Sequence, residues 1–401
     1  MDKFFIRFIL LLGFSFQIFL SKAETRALSD DPDFIKASLL ITDPGYQTHQ
    51  IFGHAVIRME CPQHGLDRVF SFDNDAGSNV NKLFIEGAHG KVDEIYFDGY
   101  LNVFKEEGRE IKSYPLNLTL NQKARLWQVL DSLKTLPEIP FNIADNHCFA
   151  ISTDALDIAL KPAKINWNEL AVKYNSYANS TKDSRVADSQ WNYLMILLLM
   201  NTLADTNPYS VKYFSPINFE TYYPDAYIVS ENNERVPLID GEPEIITPRT
   251  VPNTTTNPTP TAVGWIILGL SVLATLLDLF TKTDIPGRII DILFWVILTV
   301  GGFFILFLTY APFHYGGNWS WPLIVFNPLA WIPVVIFRNN KSILSCVWGV
   351  YASILICFAF FIDAVTETVI FMWILIAIAF AIRCAWHCFR DVFPNHRINI
   401  F

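Results

Sequence analysis

The sequence predicts a two-part membrane protein, an α+β domain outside the cytoplasm followed by an all-α transmembrane domain of five helices. Three observations carry this prediction. The chain opens with the pattern of a secretory signal, its middle has an ordinary globular composition, and beyond residue 262 it is dominated by apolar stretches.

The opening reads Met1-Asp2-Lys3-Phe4-Phe5-Ile6-Arg7, continues as an apolar run to Leu20, and ends in Ser21-Lys22-Ala23. A basic start, a short apolar centre and small residues two apart are the marks of a cleaved signal, with cleavage expected after Ala23. The alternative is an uncleaved anchor, for which the run is short. Residues 24–240 then form the exported unit and 241–262 a Pro/Thr/Asn-rich extended linker that cannot bury apolar surface.

Five apolar stretches follow, at about 263–280, 289–311, 322–337, 343–362 and 366–386; the third is short and carries Pro328 and Pro333. The charges agree with an exported N-terminal unit. Lys282, Arg288, Arg338, Lys341, Arg383, Arg390 and Arg397 fall on the side expected to be cytoplasmic, whereas the loops His314–Trp321 and Asp363–Glu367 contain no Lys or Arg. The C-terminus is thus expected in the cytoplasm.

Within 24–240, Ser38–Thr42 reads as a buried strand, Ala55–Met59 and Arg68–Phe72 as hairpin arms across Glu60–Asp67, and Glu94–Tyr96 and Gly108–Leu118 as further strands. Helices are expected over Thr119–Leu136, with Thr119 as its cap, over Asp145–Leu160, and over the apolar Ser189–Leu203. A small, mostly antiparallel sheet beside helices makes the unit α+β.

Two patterns carry chemistry. In Pro44-Gly45 and Ile51-Phe52-Gly53-His54-Ala55-Val56-Ile57-Arg58, a histidine sits at the mouth of a strand just after a glycine. In Asp145-Asn146-His147-Cys148, a thiol opens a helix, where the dipole and unpaired N–H groups favour the thiolate. Together Cys148 and His54 make a nucleophile and its base, with the Cys148 N–H as half of an oxyanion hole. The competing reading is a Cys61–Cys148 disulfide in an oxidising compartment, which would exclude that chemistry. No His/Asp/Glu set has metal-ligand spacing and no Gly-rich phosphate loop occurs, so no cofactor is expected. The formal charge of −9, without a basic stripe, argues against nucleic acid as a partner. His314 and Asn318, beside Trp319 and Trp321, read as an interfacial belt or as a substrate contact. The aromatics Tyr209, Tyr213, Phe214, Phe219, Tyr222, Tyr223 and Tyr227 read as core, or as an apolar groove.

These motifs, with the Gly108-Arg109-Glu110 strand leading to Leu116-Asn117-Leu118-Thr119, resemble the Lnb N-terminal periplasmic domain family over roughly 35–230. The membrane half, with Asn318-Trp319 and Leu323 to Asn327-Pro328-Leu329, resembles the same family of lipoprotein N-acyltransferases. His before a helix-opening Cys is similar to permuted papain-like folds of the lecithin:retinol acyltransferase group. The resemblance implies a bacterial inner-membrane enzyme with a periplasmic catalytic domain. Its Cys148 would take an acyl chain from a glycerophospholipid and pass it to the α-amino group of a diacylated lipoprotein, with His54 as base. It implies an orienting residue on the neighbouring strand, Ser71 or Asp73, and leaves Gln50 as an oxyanion contact. The chain departs from the family pattern at His49 and Gln50, where Tyr and Ser are common, and at the intervening His147. A thiol peptidase or amidase acting on cell-wall peptides, and a non-catalytic envelope-binding module, are the rival readings.

Overall fold

A computed structural model of the chain describes residues 31–45, 50, 52–75, 77, 79, 82, 87–141, 146–174, 191, 216–250, 259–280, 285–310, 322–365 and 371–392. The signal segment, the 189–203 helix apart from Trp191, and the 314–321 loop with His314 and Asn318 lie outside these residues, as do Tyr209, Tyr213 and Phe214.

The N-terminal region is mostly strand. Its strands are β1 (Lys36–Thr42), β2 (His54–Cys61), β3 (Leu66–Asn74), β4 (His89–Tyr96), β5 (Ile111–Pro115), β6 (Ile139–Pro140), β7 (Lys164–Ile165), β8 (Tyr227–Val229), β9 (Arg235–Pro237) and β10 (Glu244–Thr247). Seven form an antiparallel sheet in the order β10-β5-β1-β2-β3-β4-β6, and β7-β8-β9 form a small second sheet. The helices are α1 (Phe97–Glu106), α2 (Leu120–Lys134), α3 (Cys148–Leu160), α4 (Trp167–Tyr174) and the one-turn α5 (Phe219–Tyr222).

Strand alternation explains why both faces of the sheet are covered. Leu39, Ile41, Ala55, Ile57, Met59, Phe70 and Phe72 pack on one face against α2, α3 and α4, through residues such as Leu126, Phe149 and Leu170. The alternate residues Leu40, Val56 and Val69 pack on the other face against Phe97, Tyr100 and Phe104 of α1. Phe219 and Tyr222 are fully buried in the first of these cores, so for them the core reading holds and the groove reading fails.

Several elements differ from expectation. The Thr119 cap forms as a full capping box, with the Gln122 N–H donating to Thr119 Oγ1 and the Thr119 N–H donating to Gln122 Oε1. Helix α3, however, begins at Cys148 rather than Asp145, because His147 is the cap and its Nδ1 accepts from the Ala150 N–H at 3.5 Å. Helices α1 and α4 were not expected. Part of the segment expected as linker is folded: β10 pairs with the free edge of β5, the Thr250 N–H donates to the Gly108 carbonyl, and Arg249 reaches Asp43 at 3.2 Å.

The membrane half comprises α6 (Pro260–Phe280), α7 (Ile285–Tyr310), α8 (Pro322–Val325), α9 (Trp331–Ile336), α10 (Lys341–Val365) and α11 (Phe371–Val392). Among the described residues, four helices are long and apolar enough to cross a membrane by length and composition: α6, α7, α10 and α11. The expected third span is instead the broken pair α8–α9. Proline removes a backbone donor and restricts the residue before it, so the helix stops ahead of Pro328. Asn327 turns the chain there, its side-chain oxygen accepting from the Leu329 N–H at 3.0 Å. Gly301 and Gly302 of α7 let the break lie close; a Cβ on Gly302 would sit 2.3 Å from the Phe326 carbonyl oxygen.

Candidate active site

The site begins with a turn only glycine can make. Gly53 has φ +78°, and a Cβ there would stand 2.4 Å from the Thr42 carbonyl oxygen. The Gly53 N–H and the Gly45 N–H both donate to the Gln50 carbonyl, closing the loop that delivers His54 to the start of β2, paired with Thr42. Gly53→Ala is expected to destabilise the domain by about 1–3 kcal/mol and to displace His54. Thermal unfolding of the purified full-length chain, beside its activity, checks this.

His54 lies on the α1 face, its ring stacked on Phe104 with centroids 6.4 Å apart. Its Nε2 is 2.8 Å from Ser71 Oγ, and the Ser71 hydroxyl donates to Asp73 Oδ2 at 2.6 Å. Asp73 Oδ1 is itself 3.6 Å from Nε2. Because the Ser71 hydrogen is committed to Asp73, Ser71 accepts from the imidazole Nε2–H. The ring's Nδ1 is then the nitrogen left for the thiol. Ser71 is buried and Asp73 half open to solvent, so the two orienting candidates act in series rather than as alternatives.

Cys148 occupies the first position of α3, half-buried, with its side chain hydrogen-bonded to both His54 and His147. Burial works against its ionisation, but the charge of His54 and the bonds from His147 and His54 outweigh it, bringing the thiol down from 9.0 to about 6. For His54, burial disfavours the charged ring, while Cys148 and Asp73 together raise its pKa and Arg109 opposes them. The two shifts describe a thiolate–imidazolium pair. As a first-turn residue, Cys148 has a backbone N–H with no partner within the helix.

Not every expected contact forms. The Gln50 side-chain amide donates to Glu107 Oε1 at 3.4 Å, which ties it to the loop after α1 rather than to the thiol. Cys61 and Cys148 are both free thiols. They sit at unlike places, Cys61 ending the strand that His54 begins, roughly 23 Å away at about 3.3 Å per residue. Two contributors were missed in the sequence. His147 reads as an intervening residue because histidine is not among the usual N-caps, yet it caps the helix that the thiol opens. Phe104 was missed with α1.

The site stands upstream of a membrane domain whose kinship is measurable. Residues 252–392 match the family described as the Lnb transmembrane domain. The match supports assignment of the chain to the Lnb family. No curated protein and no solved structure matches the chain. The matched domain embeds the chain in a membrane through helices long and apolar enough to cross it, and the Lnb family is consistent with an acyltransferase.

Ser71→Ala is expected to slow turnover roughly 10–100-fold, the worth of one hydrogen bond to a charged group. Asp73 remains near Nε2 and limits the loss. A kcat measurement, with KM little changed, checks it.

Proposed function

We propose that the chain is a lipoprotein N-acyltransferase of the inner membrane, with the signal peptide removed and the thiol domain in the periplasm. The observation that carries this reading is the Cys148–His54–Ser71–Asp73 chain of contacts in a protein that also has an Lnb transmembrane domain. The architecture it implies for residues 24–240 is a permuted papain-like domain, joined to five membrane crossings in which α8–α9 together form the third.

In the first half-reaction the Cys148 thiolate attacks an ester carbonyl of a glycerophospholipid. The carbonyl oxygen gathers charge, which the Cys148 N–H stabilises. The C–O bond breaks, the imidazolium of His54 protonates the departing glycerol oxygen, and lysophospholipid leaves an acyl thioester on Sγ. In the second, the α-amino group of a diacylated lipoprotein's N-terminal cysteine attacks the thioester while His54 accepts its proton. The amide forms and the thiolate returns. Ser71, backed by Asp73, holds the ring through both steps. The membrane half brings the thiol to a surface where donor and acceptor are both lipid-anchored.

The test is reconstitution of the full chain with phosphatidylethanolamine and a diacylated lipopeptide. The expected product carries one further acyl group on its terminal nitrogen. Cleavage of a cell-wall peptide without acyl transfer would instead indicate an amidase, and neither activity would indicate a binding module.

A further inference from the structure

The membrane half contains a cavity of about 270 Å³ enclosed by α7, α8–α9, α10 and α11. Phe294, Leu298, Leu355 and Phe380 wall it, and Asp291, Arg383 and His387 close one end. We infer that this cavity binds one acyl chain of a glycerophospholipid from the membrane leaflet opposite the one the thiol domain adjoins.

Depth follows from chain connectivity. The thiol domain leads into α6 at Pro260, and α6 ends at Phe280 on the far face. Asp278 lies in that last turn, Asp291 in the second turn of α7, and Arg383 and His387 toward the end of α11. The polar end of the cavity is therefore at the far face, and its apolar walls run from there toward the bilayer centre. That gradient, polar at the face and apolar inward, is the gradient of a phospholipid standing in its own leaflet.

The polar end is built rather than incidental. Arg383, only 3% exposed, donates to Asp278 at 2.9 Å, to Asp291 at 2.7 Å and to Thr275 at 3.0 Å. His387 Nε2 lies 2.8 Å from Asp291, and its ring stacks on Trp348. Arg390 lies 3.2 Å from the other nitrogen of that ring, so one guanidinium is held between two carboxylates and a second caps the histidine. Ionisable residues on membrane-spanning helices that face the bundle interior are rare and mark functional places by default. A purely structural clamp would close on itself, yet this one borders an open volume. The break at Asn327 supplies the second indication, since irregular backbone is tolerated at membrane depth where it is covered by protein or lines a cavity. Asn327 and Ala330 line this one. Ile354 of α10 lines the cavity and is 44% exposed on the outside of the helix bundle, which marks the mouth.

The test uses the full chain in phosphatidylethanolamine vesicles containing a small fraction of phosphatidylethanolamine with a diazirine in one acyl chain. Photolysis and peptide mapping read where the carbene inserts. Insertion is expected to concentrate several-fold on 294–298 and 351–355 over the bilayer-facing Ile292, Val300 and Phe360. Ile354→Trp, which plugs the mouth, should reduce the cavity adducts several-fold and leave the outer-face adducts unchanged. Leu298→Trp, filling the wall, should do the same and guards against a local fault in the first variant. Equal insertion on cavity and outer faces, or adducts insensitive to both plugs in chains that still elute as monodisperse protein, would overturn the inference. The readout does not pass through the thiol: Cys148→Ala should give the wild-type pattern whatever the reaction at Cys148 proves to be.

Discussion

Cys148→Ala is expected to lower acyl transfer by on the order of 10⁴-fold or more while leaving thermal unfolding within a few degrees of the parent. The first part follows from covalent catalysis: without Sγ no thioester forms, and positioning of two lipids alone replaces little of the lost rate. The second follows from placement. Cys148 is half-buried at the first position of α3, and the helix is held by Phe149, Ala155 and Leu156 behind it. The His147 cap also survives the change. Loss of both activity and fold would point to a structural cysteine. The measurements are transfer of a labelled acyl chain to lipopeptide and a melting curve on the same preparation.

His54→Gln is expected to reduce turnover by about 10²–10⁴-fold, the usual worth of a positioned acid–base group, and to change the pH response of the thiol. In the parent, Cys148 titrates near 6 because His54 and His147 outweigh its burial. A lowered thiol pKa means the reactive thiolate is present above about pH 6 and lost as pH falls through that value. His54, whose own pKa is raised, keeps its proton into the same range, so the ion pair exists from about pH 6 until His54 deprotonates. Removing His54 takes away the largest favourable contribution and leaves burial, so the alkylation midpoint should move up toward the ordinary value of 9.0. Iodoacetamide labelling of Cys148 across a pH series reads this directly. An unchanged midpoint would place the activating charge elsewhere.

Much of the site was legible because its parts obey local rules. Gly53-His54 at a strand mouth and a thiol opening a helix both depend on neighbours in sequence, and both appear where expected. The strand pair carrying Ser71 and Asp73 was equally visible in its alternation. What escaped was nonlocal. Helix α1 is short and holds Gly99, so Phe97, Tyr100 and Phe104 do not announce a helix; the sheet face above Val56 and Val69 selects it. Strand β10 hides in a Pro- and Thr-rich stretch because four residues suffice once the edge of β5 is there to pair with. The start of α3 was misplaced by three residues because His147 is not among the usual caps. In the membrane half, hydropathy located the apolar stretches, but the break in the third is set by Pro328 and by Gly301–Gly302 of a neighbouring helix.

The most direct test is the mass of the Cys148 peptide after the full chain is incubated with phosphatidylethanolamine in the absence of any lipoprotein acceptor. A single acyl group on Cys148, removed by neutral hydroxylamine and discharged on adding a diacylated lipopeptide, is the predicted result. An unmodified Cys148 in a preparation that still acylates the lipopeptide, or a Cys148 recovered in disulfide linkage to Cys61, would contradict it.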